Sequence, residues 1–139
     1  MSEFAAFFVE NIEEGSESEV AVSPRFKDKE GKPVLWKLRA ISEELNGELR
    51  KECTRKVKQK GGVVTEIDQN LYIQKLAVET VVFPNLKDAQ LQANHNVLGA
   101  EKLLGKLLLP GEFSKLIEEV NQINGFDLDI NEEIEKVKN

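Results

Sequence analysis

The sequence of 139 residues contains one cysteine and one histidine, and this scarcity excludes several kinds of site. Cys53 has no second cysteine to pair with, so an intramolecular disulfide is excluded. Its position four residues after Leu49 predicts a small core residue. Because His95 is the only histidine, a zinc site built on several histidines cannot form. The polar segment QANHN around His95 predicts a surface or capping residue.

Long apolar runs are also absent. No stretch approaches the roughly 20 apolar residues that span a bilayer. The N-terminal MSEFAAFFVENIEE has acidic residues beside its apolar run and no basic region, unlike a secretory signal. With 40% hydrophobic and 32% charged residues, the composition is typical of a soluble globular protein. We therefore expect a single domain over residues 1–139, in the cytoplasm and without a membrane partner.

Motifs for catalysis or cofactor binding are incomplete where they occur. Residues 99–106 resemble a phosphate-binding loop, but five residues separate the glycines where the motif requires four, and Leu107 replaces the Ser or Thr that holds magnesium. Residues 127–131 resemble the start of a calcium loop, but Glu132 and Lys138 replace the required Gly and Glu. No Gly-x-Ser-x-Gly elbow is present. The sequence predicts a protein that is not an enzyme and binds no cofactor or metal.

Charge is unevenly distributed along the chain. The net charge of −6 argues against general nucleic-acid binding, which depends on Lys and Arg. Every charged residue in 1–24 is acidic, whereas Arg50 to Lys60 (RKECTRKVKQK) contains six basic residues and one acidic residue. This basic stretch is interpreted either as a solvated helix face or as a contact for an acidic partner. Lys56 and Lys58 are the candidates for a contact with residues 10–19 of another copy.

Residue periodicity predicts an α+β fold, with an N-terminal β-hairpin at about 19–41 packed on a mainly helical domain of four to five helices. Apolar residues alternate over 20–26 and again over 34–41, and KDKEGKP lies between them as the turn. Trp36 shares a strand face with Val34 and Leu38 and is expected to anchor the hairpin to the helices. Arg25 and Arg39 are candidates for contact with a partner, Arg39 on the outer face of the hairpin.

Helices are predicted from apolar residues three or four apart. A short helix is expected at 4–12 within an acidic N-terminal segment, 1–18. Ser42 is expected to cap a helix over 43–58 that ends at Gly61-Gly62. A helix over 66–82 would be stopped by Pro84, although VVTEI at its start also fits a short strand. Shorter helical stretches follow, and they are predicted at 86–91, 97–109, 112–123 and, as a charged C-terminal helix, 127–139.

Three ordered stretches carry a resemblance to a known family. They are SPRFKDKEGKPVLWKLRAIS, TEIDQNLYIQKLAVETVVFPNLKDAQLQ and VLGAEKLLGKLLLPGEFSKLIEEVNQINGFD. In this order they resemble the XkdN-like phage tail assembly chaperones, which occur in tail gene clusters of phages and defective prophages of Bacillus-like bacteria. The resemblance covers residues 19–126.

This resemblance implies a non-enzymatic chaperone that binds the long, helical tape measure protein and keeps it soluble while the tail tube polymerises. Such a chaperone is absent from the finished virion. The tail tube protein and a second copy of the chain are further candidate partners, and the alternative function is a minor structural component of the tail. A nucleic-acid-binding regulator is disfavoured by the net charge. An aggregation-prone client requires an apolar surface. The candidate residues for partner contact are Arg25, Arg39, Lys56, Lys58, Phe83, Pro84 and Leu86.

Overall fold

The computed structural model describes residues 3–11 and 17–126, and within these ranges it contains five α-helices and five β-strands. The helices are α1 (Glu43–Glu52), α2 (Gln69–Thr80), α3 (Ala89–Asn94), α4 (Ala100–Leu107) and α5 (Pro110–Ile123). The strands are β1 (Glu17–Val20), β2 (Trp36–Arg39), β3 (Thr54–Gln59), β4 (Gly62–Ile67) and β5 (Val81–Phe83). The predicted α+β class is confirmed. The charged C-terminal helix predicted over 127–139, and the incomplete calcium-loop pattern at its start, lie outside the described residues.

The first sheet has the strand order β1-β2-β5, with both pairs antiparallel. Val20 lies opposite Trp36 in the predicted hairpin, and Leu38 lies opposite Val81 on the other side of β2. Trp36 and Leu38 are buried, whereas Lys37 and Arg39 between and after them are exposed. The alternation in the sequence therefore reflects a strand with one face on the core.

The turn predicted at KDKEGKP is also present. The Asp28 carboxylate accepts hydrogen bonds from the backbone N–H groups of Glu30 and Lys32, at 2.8 and 3.0 Å. Gly31 adopts φ +83°, which a residue with a side chain rarely tolerates. The first strand predicted over 20–26 is wrong after Val20, because β1 is Glu17–Val20 and the chain returns to regular pairing only at Trp36. Between them Lys27 and Pro33 form a single isolated bridge.

The hydrophobic core lies between this sheet and the helices. Helix α2 is central and contacts α1, α4 and α5. Trp36 is only 2% exposed and joins Leu38, Leu103, Leu116 and Val120, which have almost no exposed surface. Burying each such leucine stabilises the fold by about 1.5–3 kcal/mol relative to leaving it in water. The expectation that Trp36 anchors the hairpin to the helices is confirmed.

The helix predicted over 43–58 is wrong beyond residue 52. Ser42 caps α1 as expected, with its hydroxyl oxygen 3.1 Å from the Leu45 nitrogen. Helix α1 ends at Glu52, and the rest of the basic stretch forms β3, which pairs with β4 in a two-stranded antiparallel hairpin. Gly61, at φ +101°, makes the turn between the strands. The β-branched residues of VVTEI favour this pairing, so the strand alternative for that stretch is the correct one.

The helix predicted over 66–82 is shorter at both ends. Asp68 caps α2, accepting a hydrogen bond from the Leu71 N–H at 3.1 Å. The chain leaves the helix after Thr80 because Val81–Phe83 pairs with β2. The helices predicted at 97–109 and 112–123 correspond to α4 and α5, with Pro110 in the first turn of α5, where its missing N–H costs nothing.

The N-terminal helix predicted at 4–12 does not form over the described part of that range. Residues 3–11 contain two short 3₁₀ turns, Ala5–Phe7 and Val9–Asn11. An isolated helix of this length is unstable in water unless its apolar face is buried. Phe4, Phe7 and Val9 are exposed, so this requirement is not met.

Candidate functional site

An apolar groove of about 450 Å³ opens between the N-terminal sheet and helices α3 and α4. We call it the hairpin groove. Its walls come from three parts of the chain that are distant in sequence: the segment around the Asp28 turn with β2, the corner after β5, and the two helices. The lining residues are Arg25, Phe26, Lys27, Val34, Trp36, Phe83, Pro84, Leu91, His95 and Leu107.

Aromatic side chains form one wall of the groove. The rings of Phe26 and Trp36 lie 5.8 Å apart between centroids and are tilted by 45°. Trp36 is almost fully buried, whereas Phe83 is 46% exposed. The Lys37 ammonium lies 6.0 Å from the centroid of the Phe83 ring, within the range of a cation–π contact. Phe83 is therefore the aromatic lining residue that is most accessible to a partner.

Arg25 fixes one edge of the groove. Its Nε donates to Glu112 Oε2 at 3.1 Å, and its Nη2 donates both to Glu112 Oε1 and to the Leu107 carbonyl, the latter at 2.8 Å. The guanidinium carbon also lies 5.1 Å from the centroid of the Phe26 ring. Arg25 thereby ties the segment before the Asp28 turn to the connection between α4 and α5.

The protonation equilibrium of Glu112 is shifted by these contacts. Hydrogen bonds from Arg25, then from Ser23 and the Leu109 N–H, favour the charged carboxylate and hold the pKa of Glu112 at about 2, against an ordinary value of 4.5. The hydrogen bond to Glu112 also raises the pKa of the Arg25 guanidinium. The pair stays charged at neutral pH, and the groove edge keeps its geometry.

The corner after β5 is held by amide side chains. Phe83 and Pro84 are joined by a cis peptide bond. The side chain of Gln92 donates to the Leu86 carbonyl at 2.9 Å and accepts from the Gly99 N–H at 3.0 Å, linking this corner to the start of α4. Gln92 thus positions the corner beside the helices that complete the groove.

His95 ends helix α3, and its backbone N–H donates to the Leu91 carbonyl at 3.3 Å. The prediction of a surface or capping residue is confirmed. It also lines the hairpin groove, which the sequence did not indicate.

The structure brings together three of the residues proposed for partner contact and separates the others. Arg25, Phe83 and Pro84 all line the hairpin groove. Leu86 is 2% exposed and packs in the core, so it has almost no surface for a partner.

Arg39 does not line the groove; its Nε donates to Glu17 Oε1 at 2.9 Å across the β1–β2 pair. Lys56 and Lys58 lie on β3, in the separate second sheet. Leu107 lies in the helix predicted at 97–109, whose many leucines favour an exposed apolar surface, and it does line the groove. Sequence reasoning missed Leu91, because nothing local in its helical pattern distinguishes a groove wall from core.

In residues 3–11 and 17–126, no group of three or more His, Cys, Asp or Glu side chains is arranged to hold a metal ion. No helix in the same part of the chain is long and apolar enough to span a membrane.

The fold and the groove define a small α+β protein with an open apolar surface bordered by cationic side chains. Residues 4–138 match the family described as phage XkdN-like tail assembly chaperone protein. The chain belongs to this family of phage tail assembly chaperones, as its sequence stretches predicted. Membership implies interaction with phage tail proteins.

Two relatives come from Bacillus subtilis strain 168. The uncharacterized protein YqbN is 37% identical over 128 residues, which cover 91% of this chain and 86% of YqbN. The phage-like element PBSX protein XkdN is 29% identical over 128 residues, with the same coverage of 91% and 86%. The crystal structure of YqbN superposes with a TM-score of 0.81 and 29% sequence identity, covering 91% of this chain and 99% of the other. The fold described above is therefore shared with a solved relative.

Proposed function

We propose that this protein binds the tape measure protein of its phage or prophage and keeps it soluble until the tail tube forms around it. It does so without catalysis, acts in the host cytoplasm and is absent from the finished virion. The observation that carries the proposal is the open hairpin groove on a member of a tail assembly chaperone family.

The chemistry of the groove suits a helical client. A tape measure protein is a long helix with apolar stripes, and such a helix aggregates when its stripes face water. Recognition of an amphipathic helix typically uses apolar anchors at i, i+3, i+4 and i+7 that enter an apolar groove. Phe83 offers exposed aromatic surface at the groove, while Lys27 and Lys37 lie close enough to meet acidic residues beside a client's stripe.

A solubility experiment tests both the function and its location. A fragment of the tape measure protein from the same gene cluster is co-expressed with wild-type protein, with Phe83→Glu or with Val82→Glu. Phe83 and Val82 are neighbours on β5 and are each 46% exposed, but only Phe83 lines the groove. Val82→Glu is therefore the matched control.

Wild-type protein and Val82→Glu should raise the soluble fraction of the fragment and co-purify with it, whereas Phe83→Glu should do neither. If wild-type protein leaves solubility unchanged and does not co-purify, the chaperone proposal is wrong. If the two variants behave alike while the wild type is active, client binding lies elsewhere than the hairpin groove.

The alternative of a minor structural tail component is tested by mass spectrometry of purified particles. The proposal predicts that tail tube and tape measure peptides are detected and that peptides of this protein are not. Detection of this protein at a fixed ratio to the tube protein would favour the structural component.

A further inference from the structure

The β3–β4 hairpin has little cover from the part of the chain that the structure describes. All of its strand residues are exposed except Val57, which is half-buried. At its base, the Asp68 N–H donates to the Cys53 carbonyl at 2.8 Å and closes the two strands. Because an isolated two-stranded hairpin is only marginally stable in water, an exposed one is a candidate for cover by a partner.

The strand register divides the side chains of this hairpin into two faces. On one face Arg55 lies opposite Glu66, with Nη2 and Oε1 2.9 Å apart, and Val57 lies opposite Val64. The other face is formed by three cross-strand pairs. We call it the lysine face, and it consists of Thr54 with Ile67, Lys56 with Thr65, and Lys58 with Val63.

The relative positions of Lys56 and Lys58 on a strand differ from those that a helix would give them. Residues two apart point in different directions on a helix but share a face on a strand. The change from helix to strand therefore places Lys56 and Lys58 side by side, next to Val63, which is 60% exposed, and Ile67, which is 37% exposed. Neither lysine forms an ion pair with any carboxylate of residues 3–11 and 17–126. The lysine face thus combines apolar surface with two cations that have no acidic partner in the described chain.

A surface of opposite character lies at the N-terminus. Residues 3–11, which we call the N-terminal arm, contain Glu3 and Glu10 and no basic residue. Phe7 and Val9 of the arm are 75% and 88% exposed. Exposed apolar clusters of this kind are typical of segments that bind elsewhere.

We propose that the N-terminal arm of one copy docks on the lysine face of a second copy. The arm's aromatic and valine side chains would cover Val63 and Ile67, and its carboxylates would meet Lys56 and Lys58. Among residues 3–11 and 17–126 of a single copy, Phe7, Val9, Val63 and Ile67 remain exposed, which favours docking between copies over docking within one. Because each copy carries one arm and one face, the association closes as a reciprocal two-fold dimer or continues head-to-tail as larger rings or open chains. This self-association does not depend on client binding.

Light scattering coupled to size-exclusion chromatography, with sedimentation to obtain Kd, tests the proposal on the full chain. Wild-type protein should gain mass with concentration at low ionic strength and lose part of that gain near 1 M salt, where the screening length is about 3 Å. Lys56→Glu/Lys58→Glu should raise the Kd about tenfold or more at low salt, since two attractions become repulsions. Glu3→Lys/Glu10→Lys should have a similar effect and leaves the hairpin sequence intact.

Mixing the two variants gives the sharpest test. In the mixture, the glutamates on the lysine face of the first variant meet the lysines on the arm of the second. The unchanged arm of the first variant meets the unchanged lysine face of the second. The mixture should therefore associate about as tightly as wild type. Lys29→Glu/Lys102→Glu makes the same charge change at two exposed lysines on other elements and should leave the Kd unchanged. A wild type that stays monomeric at every concentration, a mixture that does not recover association, or an equal effect of the control pair would each overturn the proposal.

Discussion

Asn124 hydrogen-bonds to Thr80 at the point where the ends of α5 and α2 meet. The Asn124 Nδ2 donates to Thr80 Oγ1 at 2.9 Å, and its Oδ1 accepts from the Ile41 backbone N–H at 2.9 Å. Thr80 has no exposed surface, so water cannot replace this bond. One side chain therefore joins the end of α5, the end of α2 and the chain that leaves β2.

Asn124→Ala should lower the free energy of unfolding by about 1–3 kcal/mol, because it leaves buried polar groups without partners. Urea denaturation followed by circular dichroism measures this change. Gln122→Ala is the control, since Gln122 is an exposed residue on the same helix. A loss from Asn124→Ala no larger than that from Gln122→Ala would contradict the role assigned to Asn124.

The sequence predicted elements best where a local signal and the tertiary environment agree. The alternation around Trp36 matches a strand with one face on the core, and Ser42 begins a helix whose cap hydrogen bond is present. The helix predicted through the basic stretch was wrong beyond residue 52, although Leu49, Cys53 and Val57 have helical spacing. That stripe continues only as far as Cys53, where the chain turns into β3. Spacing alone could not locate that change, since the exposed residues of β3 carry no apolar alternation.

The candidate site was only partly predictable for a related reason. Phe83, Pro84 and Leu86 were predicted together as contact residues; Phe83 and Pro84 line the groove, whereas Leu86 is buried in the core. The leucine excess of the helix predicted at 97–109 also indicated Leu107, whereas Leu91 belongs to an ordinary helical pattern, and only the packing of α3 against the sheet places it on the groove wall. The sequence therefore indicated most of the hairpin groove but not the contribution of α3.

Trp36 should report on the state of the hairpin groove. It is the only tryptophan and is almost fully buried, so its fluorescence should be blue-shifted relative to the denatured protein and weakly quenched by acrylamide. Because Trp36 also lines the groove, binding of a tape measure fragment should change its emission. Trp36→Ala should destabilise the fold by about 3–5 kcal/mol. A native emission spectrum like that of the unfolded chain would contradict the burial of Trp36.

Cys53 should be unreactive in the folded protein. Cys53 is 2% exposed, and burial raises the pKa of its thiol, which outweighs the opposing effect of the Lys75 ammonium. Since the thiolate is the reactive form, labelling by a disulfide reagent at neutral pH should be slow in buffer and fast in denaturant. Rates are measured by absorbance of the released thiol. Equal rates in the two conditions would show that Cys53 is accessible in the native state.

The ion pair at the groove edge should make stability depend on acid pH. The pKa of Glu112 is about 2 in the folded protein and 4.5 when unperturbed, so the unfolded chain binds this proton more readily. The stabilisation from Glu112 is therefore fully present above about pH 4.5 and is lost as the pH falls toward 2. Glu112→Gln removes this contribution. It should be less stable than wild type at pH 7, and the difference should shrink steadily below pH 4.5 and nearly vanish at about pH 2.

Denaturant midpoints measured across this range for wild type, Glu112→Gln and the control Glu118→Gln test the prediction. Glu118 is an exposed carboxylate on the same helix, so its variant should follow the pH dependence of wild type. Arg25→Lys should behave in part like Glu112→Gln, because an ammonium cannot reproduce the paired hydrogen bonds of the guanidinium. A constant difference between wild type and Glu112→Gln from pH 7 to pH 2 would mean that the charge of Glu112 does not stabilise the groove edge.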